Sequence, residues 1–389
     1  MSVTNPPIVV VGFNRPVSLK RILASLNQAY YPEHTTIKLI ISIDKSDTNK
    51  EVLAIAENFE WKFGEKTVNY QKENLGLRKH IIQCGNYSLK YESVIILEDD
   101  LFVSPNFYLY AQKALGFSND KKYIGGVSLY NHQLNVHTKD TFTPLDDGFD
   151  NYYFQFASSW GQAWTKNQWQ NFTDWYGTNP VLESIENMPA YVKSWSNKSW
   201  LKYFIGFLIE TNTFFIYPKV SLTTNFSDAG THISNDSTIY QVPLFSSKKI
   251  NYNFSTLDES DSQYNAFYEN MKLSKVLGYT KDDICIDLYG YRSNPKKRYW
   301  LSSKQENYKI LKSYTRSLKP MELNIVYNLQ GNNLFLYDTS IKEKNTFTNR
   351  RHKKMEYNFK HILYKDLSYL FFRETRLKFR RIVKKIFKL

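Results

Sequence analysis

The sequence predicts an α/β fold: a mostly parallel sheet flanked by helices, then a smaller C-terminal α+β region and a basic amphipathic helical tail. Three observations predict it. Short apolar runs alternate with helical patterns through the first 130 residues, the order expected of a parallel sheet with crossover helices. The 389 residues are 42% hydrophobic and 23% charged, an ordinary globular composition that at roughly 150 residues per domain gives about two to three domains. The net charge of +14 is concentrated in the last forty residues, where fourteen Lys and Arg face only Glu356, Asp366 and Glu374. Residues 1–245 are read as the main domain, 246–349 as an accessory region and 350–389 as the tail.

The elements follow in chain order. A strand is expected over Ile8–Val11; after the turn Gly12-Phe-Asn-Arg, Pro16 suits a first helical position, and Leu19, Ile22, Leu23 and Leu26 recur at helical spacing. A second strand covers Ile37–Ile43 and ends in Asp44. A polar helix near 48–58 leads to a strand at Thr67–Gln71, and a single helix is expected over Leu77–Lys90. The strand Ser93–Leu97 runs into Glu98-Asp99-Asp100, with Ser104 placed to cap a helix starting at Pro105 and a further strand over Tyr123–Leu129. Residues 150–240, rich in Tyr and Trp, read as loops and helices closing over a site, with a helix from Ser199 to about Glu210 and a strand near Phe214–Tyr217. Between 250 and 345 turns and short helices precede a strand from Asn332 to Asp338. The tail from about Tyr357 to Leu389 reads as one amphipathic helix.

Composition also excludes function classes. Cys84 and Cys285 are far apart and belong to no CxxC pair, so neither a disulfide scaffold nor a thiolate zinc site is expected. No apolar run reaches the ~18 residues of a membrane span and the N-terminus lacks the pattern of a signal peptide, so a cytoplasmic protein is expected. The near-neutral body argues against a nucleic-acid partner, which would call for a basic face there. The tail, with Phe372, Phe379, Ile382, Val383 and Ile386 spaced along one face among many basic residues, instead suits an anionic membrane surface at the inner face of the cell membrane.

In a parallel α/β sheet, ligands bind beyond the carboxyl ends of the strands. Asn14-Arg15, Asp44 and Glu98-Asp99-Asp100 all fall at that edge. The first turn, GFNRP, has no GxGxxG, which disfavours a nicotinamide or flavin oxidoreductase. Three consecutive carboxylates after the apolar run VIIL repel one another unless a cation or hydrogen bonds offset them. A divalent ion, Mn²⁺ or Mg²⁺, is the economical partner, the alternatives being a solvated acidic turn or an N-cap cluster.

The segment VIILEDDLFVSPNFYLY resembles the metal-binding strand end of GT-A glycosyltransferases. It is most similar to inverting family-2-like bacterial sugar transferases and to the eukaryotic N-acetylglucosaminyltransferase that starts complex N-glycans, where an EDD triplet stands in place of DxD. PIVVVGFNRP, SIDKSD, NLGLRKHI, SSWGQAW and IYPKVSLTTNFSDAGTHIS follow in the matching order, so the resemblance covers about residues 6–235. It implies a metal-dependent enzyme that moves a sugar from a nucleotide-diphosphate sugar to a glycan or lipid-linked glycan in surface polysaccharide synthesis. By the same resemblance Arg15 and Asp44 contact the nucleotide, Arg78 lies near the donor, Glu98 and Asp99 hold sugar or ribose hydroxyls, Asp100 binds the metal, and His232 sits on the loop over the diphosphate. An inverting transferase needs one acceptor-side base. Here the sequence departs from the family: Trp200 matches the tryptophan before the catalytic aspartate, but Leu201 and Lys202 follow it. Asp228 and Glu210 are the remaining candidates for the base. A sugar-nucleotide pyrophosphorylase and a catalytically decayed carbohydrate-binding protein are the competing readings.

Overall fold

The computed structural model describes residues 5–228, 238–293, 295–347, 350–359 and 361–386. The fifteen strands among them are β1 (Ile8–Gly12), β2 (Leu39–Ile43), β3 (Lys66–Tyr70), β4 (Ser93–Glu98), β5 (Leu101–Val103), β6 (Ile124–Ser128), β7 (Asn151–Phe154), β8 (Gln162–Thr165), β9 (Phe214–Pro218), β10 (Thr223–Asn225), β11 (Gln263–Tyr264), β12 (Ile284–Asp287), β13 (Tyr299–Ser302), β14 (Tyr308–Tyr314) and β15 (Leu334–Lys342). The α-helices are α1 (Pro16–Leu26), α2 (Lys50–Asn58), α3 (Gly76–Gly85), α4 (Tyr87–Tyr91), α5 (Phe107–Ser118), α6 (Lys166–Gly177), α7 (Ala190–Lys193), α8 (Trp200–Glu210), α9 (Leu273–Val276), α10 (Leu323–Val326), α11 (Arg350–Phe359) and α12 (Tyr364–Ile386).

Nine strands form one sheet in the order β11-β7-β9-β6-β8-β4-β1-β2-β3. The run β3-β2-β1-β4 is parallel throughout, whereas β8 is antiparallel to both β4 and β6, and β7 is antiparallel to β9. The strand period of two divides the core. Ile8 and Val10 of β1 and Ile95 and Leu97 of β4 face a layer with Leu19, Ile22 and Leu23 of α1 and Ala111 and Leu115 of α5. Val9, Val11, Val94 and Ile96 face the opposite layer, where Trp164, Trp169, Trp200 and Phe204 pack. Both faces are therefore covered by helices, as a parallel sheet requires. Most of the tyrosines and tryptophans of 150–217 belong to this core: Tyr152, Tyr153, Trp164, Trp169 and Tyr217 are fully buried.

A four-stranded sheet, β12-β13-β15-β14, follows. Leu301 and Leu336 on one of its faces continue the second layer of the main core, and Trp300, Phe335 and Tyr337 form a separate cluster on the other.

Four expectations are corrected. The helix expected over 77–90 is two helices that part at Asn86; beside the break Gly85 lies under Trp169, whose ring a Cβ there would meet at 2.0 Å, and the Trp169 indole donates to Asn86 Oδ1 at 2.8 Å. The helix expected from Pro105 begins at Phe107, after the strand β5; Ser104 Oγ accepts from the Asn106 N–H at 3.1 Å but stands two residues before the cap position, which Asn106 occupies. Residues 150–165, read as loops, supply β7 and β8, two strands of the large sheet. The tail is two helices rather than one, since α11 ends at Phe359 and α12 starts at Tyr364.

Candidate active site

The carboxyl ends of β1, β2 and β4 lie side by side, and the loops leaving them carry the polar residues singled out in the sequence. Arg15 ends the turn after β1 as the residue before α1, and Pro16 fixes the first helical φ behind it. Its guanidinium forks across two carboxylates, pairing with Asp99 and donating from Nη1 to Asp100 Oδ2 at 2.9 Å. This bidentate reach suits the planar fork of arginine. Asp99 and Asp100 are buried, and each keeps one carboxylate oxygen, Asp99 Oδ2 and Asp100 Oδ1, with no hydrogen-bond partner. Burial pushes the Asp99 carboxyl up, Arg15 pulls it back, and the result is about 6. Burial, then Asp100, push Glu98 well above the carboxylate range. The three carboxylates thus form a proton- or cation-hungry edge that one arginine only partly neutralises.

Among the described residues no group of three or more His, Cys, Asp and Glu side chains is arranged to hold a metal ion by itself. A Mg²⁺-type ion nevertheless needs few protein ligands, because it keeps several waters and is commonly held by one or two carboxylates plus substrate phosphates. The two unpartnered oxygens of Asp99 and Asp100 fit that donor set.

Asp44 directly follows β2 and is buried. Its carboxylate accepts the backbone N–H groups of Lys45 at 3.0 Å, Leu75 at 2.8 Å and Gly76 at 2.9 Å. It therefore caps α3 from across the sheet edge, satisfying donors that a helix start leaves open. Arg78 in the first turn of α3 donates to the Asn197 carbonyl at 2.6 Å and lies over Tyr203, which ties α3 to α8.

Asp228 reaches the same edge from the other side. The short strand β10 pairs antiparallel with β5, and Phe226 N–H donates to the Asp100 carbonyl at 3.0 Å. Asp228 then accepts from Ser18 Oγ at 2.6 Å and pairs with Arg21, both on α1, while Arg21 stacks on Phe226 at 3.9 Å. Partial burial raises the Asp228 carboxyl, but hydrogen bonds from Arg21 and Ser18 and the charges of Arg21 and Arg15 outweigh it and hold it below the usual range. An ion-paired carboxylate of lowered pKa is a weak proton acceptor.

Glu210 lies elsewhere. It is the last residue of α8, next to the start of β9, and β9 runs parallel to β6, whose carboxyl end joins the β4 edge through β8. Glu210 is thus at the opposite, amino edge of the sheet, exposed and accepting from the Trp175 indole at 2.6 Å. The position after Trp200 is no substitute: Leu201 packs against the core, and Lys202 is 2% exposed, donating to Asn197 Oδ1 at 3.0 Å. His232 lies outside the described residues.

The structure therefore brings Arg15, Asp44, Arg78, Glu98, Asp99, Asp100 and Asp228 to one edge and leaves Glu210 out. Ser18 and Arg21 were missed in the sequence, as nothing local marks a partner 207 residues away. Also at this edge, half-buried Trp160 meets Tyr130 at 4.6 Å and Tyr240 at 4.5 Å between ring centroids. Trp160 sits in the quoted SSWGQAW segment, and that was the available signal.

No family model matches the chain, and no curated protein matches it. Among the solved structures similar to part of it are two glycosyltransferase-related chains. A mannosyltransferase from Pyrobaculum calidifontis, in complex with GDP-Man and Mn²⁺, is 15% identical over 45% of this chain and 47% of that one, with a TM-score of 0.29. TarS from S. aureus is 13% identical over 55% of this chain and 37% of that one, with a TM-score of 0.32. The chain spans less than half the length of either.

Proposed function

We propose that the protein is a glycosyltransferase that uses a nucleotide-diphosphate sugar, with Mn²⁺ or Mg²⁺, to extend a glycan or lipid-linked glycan. The observation that carries the reading is the pair of buried, unpartnered carboxylate oxygens on Asp99 and Asp100 at the carboxyl edge of the sheet, beside Arg15. A bound divalent ion would be held there and would stabilise the diphosphate leaving group. Arg15 supplies positive charge at the same edge, Glu98 would take a sugar or ribose hydroxyl, and the Asp44 loop would border the nucleotide side. Trp160 and Tyr240 offer flat apolar faces against which an acceptor sugar can stack. In this reading the chemistry belongs to residues 1–245.

The tail supports a location at the membrane. No helix among the described residues is long and apolar enough to cross a bilayer. In α12, Phe372 and Phe379 are 70% and 68% exposed, and they share a helical face with the positions of Ile382, Val383 and Ile386 while most of the basic positions lie off that face. Such a helix lies in the headgroup plane and is attracted to anionic lipid. This would keep the enzyme beside an acceptor confined to the bilayer.

One observation favours a second reading, a carbohydrate-binding protein on a transferase fold. The expected base position holds Leu201 and buried Lys202, and Asp228 is ion-paired. Incubating the protein with a panel of nucleotide sugars and Mn²⁺, and measuring nucleotide release with and without glycan acceptors, separates the two. Turnover above the metal-free control supports the transferase; nucleotide binding without release supports the second reading.

A further inference from the structure

A cavity of about 520 Å³, within the range of small-molecule sites, lies away from the acidic edge. It is lined by Gln155 after β7, Ile209 and Asn212 around the end of α8, and residues of the segment 265–297 next to β12. Because β7 runs antiparallel to β9 and α8 ends at the start of β9, this is the amino edge of the large sheet, where it meets the four-stranded sheet. Neither the sequence reading nor the proposed transfer chemistry uses it.

Its chemistry is specific. Gln155 Nε2 donates to Asn212 Oδ1 at 3.1 Å, which leaves the Gln155 carbonyl oxygen and the Asn212 amide N–H groups to the cavity. Arg292 donates to buried Glu269 at 3.0 Å through Nη2 and at 3.4 Å through Nε, leaving Nη1 without a partner among the described contacts. The same guanidinium lies 3.7 Å over one face of the Phe267 ring, and that face is closed to a stacking nucleobase. Lys281, Arg292, Lys296 and Lys297 line the cavity against two carboxylates, Glu186 and Glu269, so the cationic groups are in surplus. Neighbouring amide donors and acceptors match vicinal hydroxyls, and the cationic surplus calls for a negative group.

We propose that this cavity is a second saccharide-binding site and that it takes a sugar unit carrying a carboxylate or phosphate. The choice of a saccharide rests on the glycosyltransferase reading. The carboxylate or phosphate faces Arg292 Nη1 and Lys281, and hydroxyls pair with Gln155 and Asn212.

The test uses the full-length protein and ligand-observed NMR titrations with glucuronate, galacturonate, N-acetylneuraminate and glucose 6-phosphate, each beside neutral glucose and galactose. At least one acidic sugar should bind tenfold or more tightly than the neutral sugars, and comparing the three carboxylate sugars with glucose 6-phosphate identifies the anion. Lys281→Ala and Asn212→Asp, both at exposed positions and the second suited to the positive φ of that residue, should each weaken this binding at least fivefold. Asp100→Asn should leave it unchanged. Acidic sugars binding no better than neutral ones, binding untouched by both variants, or binding lost in Asp100→Asn would each overturn the proposal. A thermal-shift titration with nucleotide sugars and Mn²⁺, run in parallel, keeps the two readings apart: no shift there together with selective acidic-sugar binding removes the transferase and leaves this site standing.

Discussion

Arg15 shows what a single side chain does at the acidic edge. Without it, Asp99 and Asp100 would be two buried like charges at one strand end, an arrangement that forces protonation or distortion. With it, they remain a partly satisfied anionic pair, each with an oxygen to spare. Asp100→Asn should therefore lower transfer by more than about a thousandfold, the cost of several kcal/mol of lost charge stabilisation on the leaving group, with an unchanged circular dichroism spectrum. Unchanged turnover with Mn²⁺ would remove the metal assignment. The two candidate bases separate by position. Glu210→Gln, at the far edge, should leave turnover within about twofold, whereas Asp228→Asn, which loosens the tie from β10 to α1, should reduce it by about tenfold or more. The acidic triplet was legible in the sequence because charge straight after an apolar run is costly unless used. That Arg15 shares its edge was legible too, from the parallel-sheet pattern; the ion pair itself was not, since the two partners lie 84 residues apart and only the sheet joins them.

At the scale of elements, the helix α11 is fixed to the body by one buried carboxylate. Asp140 accepts from Asn358 at 2.9 Å, pairs with Lys354 at 2.9 Å and faces Arg316 at 3.7 Å, while the Tyr357 hydroxyl donates to the Leu318 carbonyl at 2.9 Å. Removing one member of a buried charge cluster typically costs about 3–5 kcal/mol. Asp140→Ala should lower the unfolding midpoint and make 350–363 the first segment cut by trypsin; an unchanged midpoint and digestion pattern would count against this anchor. At the end of β12, Asp287 is buried, and burial, then Glu269, push its carboxyl from 3.8 to about 7. The folded state then holds a proton that the unfolded chain releases, so this group's contribution to stability declines as pH rises from about 4 to about 7, by up to roughly 4 kcal/mol. Urea unfolding across that range should show the decline in the wild type and a flatter profile in Asp287→Asn. The elements themselves were legible where burial is uniform. β1, β2 and β4 read as apolar runs because both of their faces are covered, and α1 reads from its spacing. β7 and β8, with the sequences NYYF and QAWT, are only four residues each and too short for a clear pattern, and most of their pairing partners are distant in the chain. β11 has two residues, too few for any pattern.

For the whole molecule, charge is divided between a nearly neutral body and a strongly basic tail. Sedimentation with anionic vesicles should carry down the full-length protein at low salt, and less of it at high salt, while a protein ending at 349 stays in solution; equal soluble fractions would dismiss the membrane role. The body has an axis of its own. The helix α8 starts at the edge that holds the carboxylates and ends at the edge that holds the second cavity, and its eleven residues span about 16 Å. The acidic edge and the cavity at its two ends are therefore too far apart for one monosaccharide to touch both.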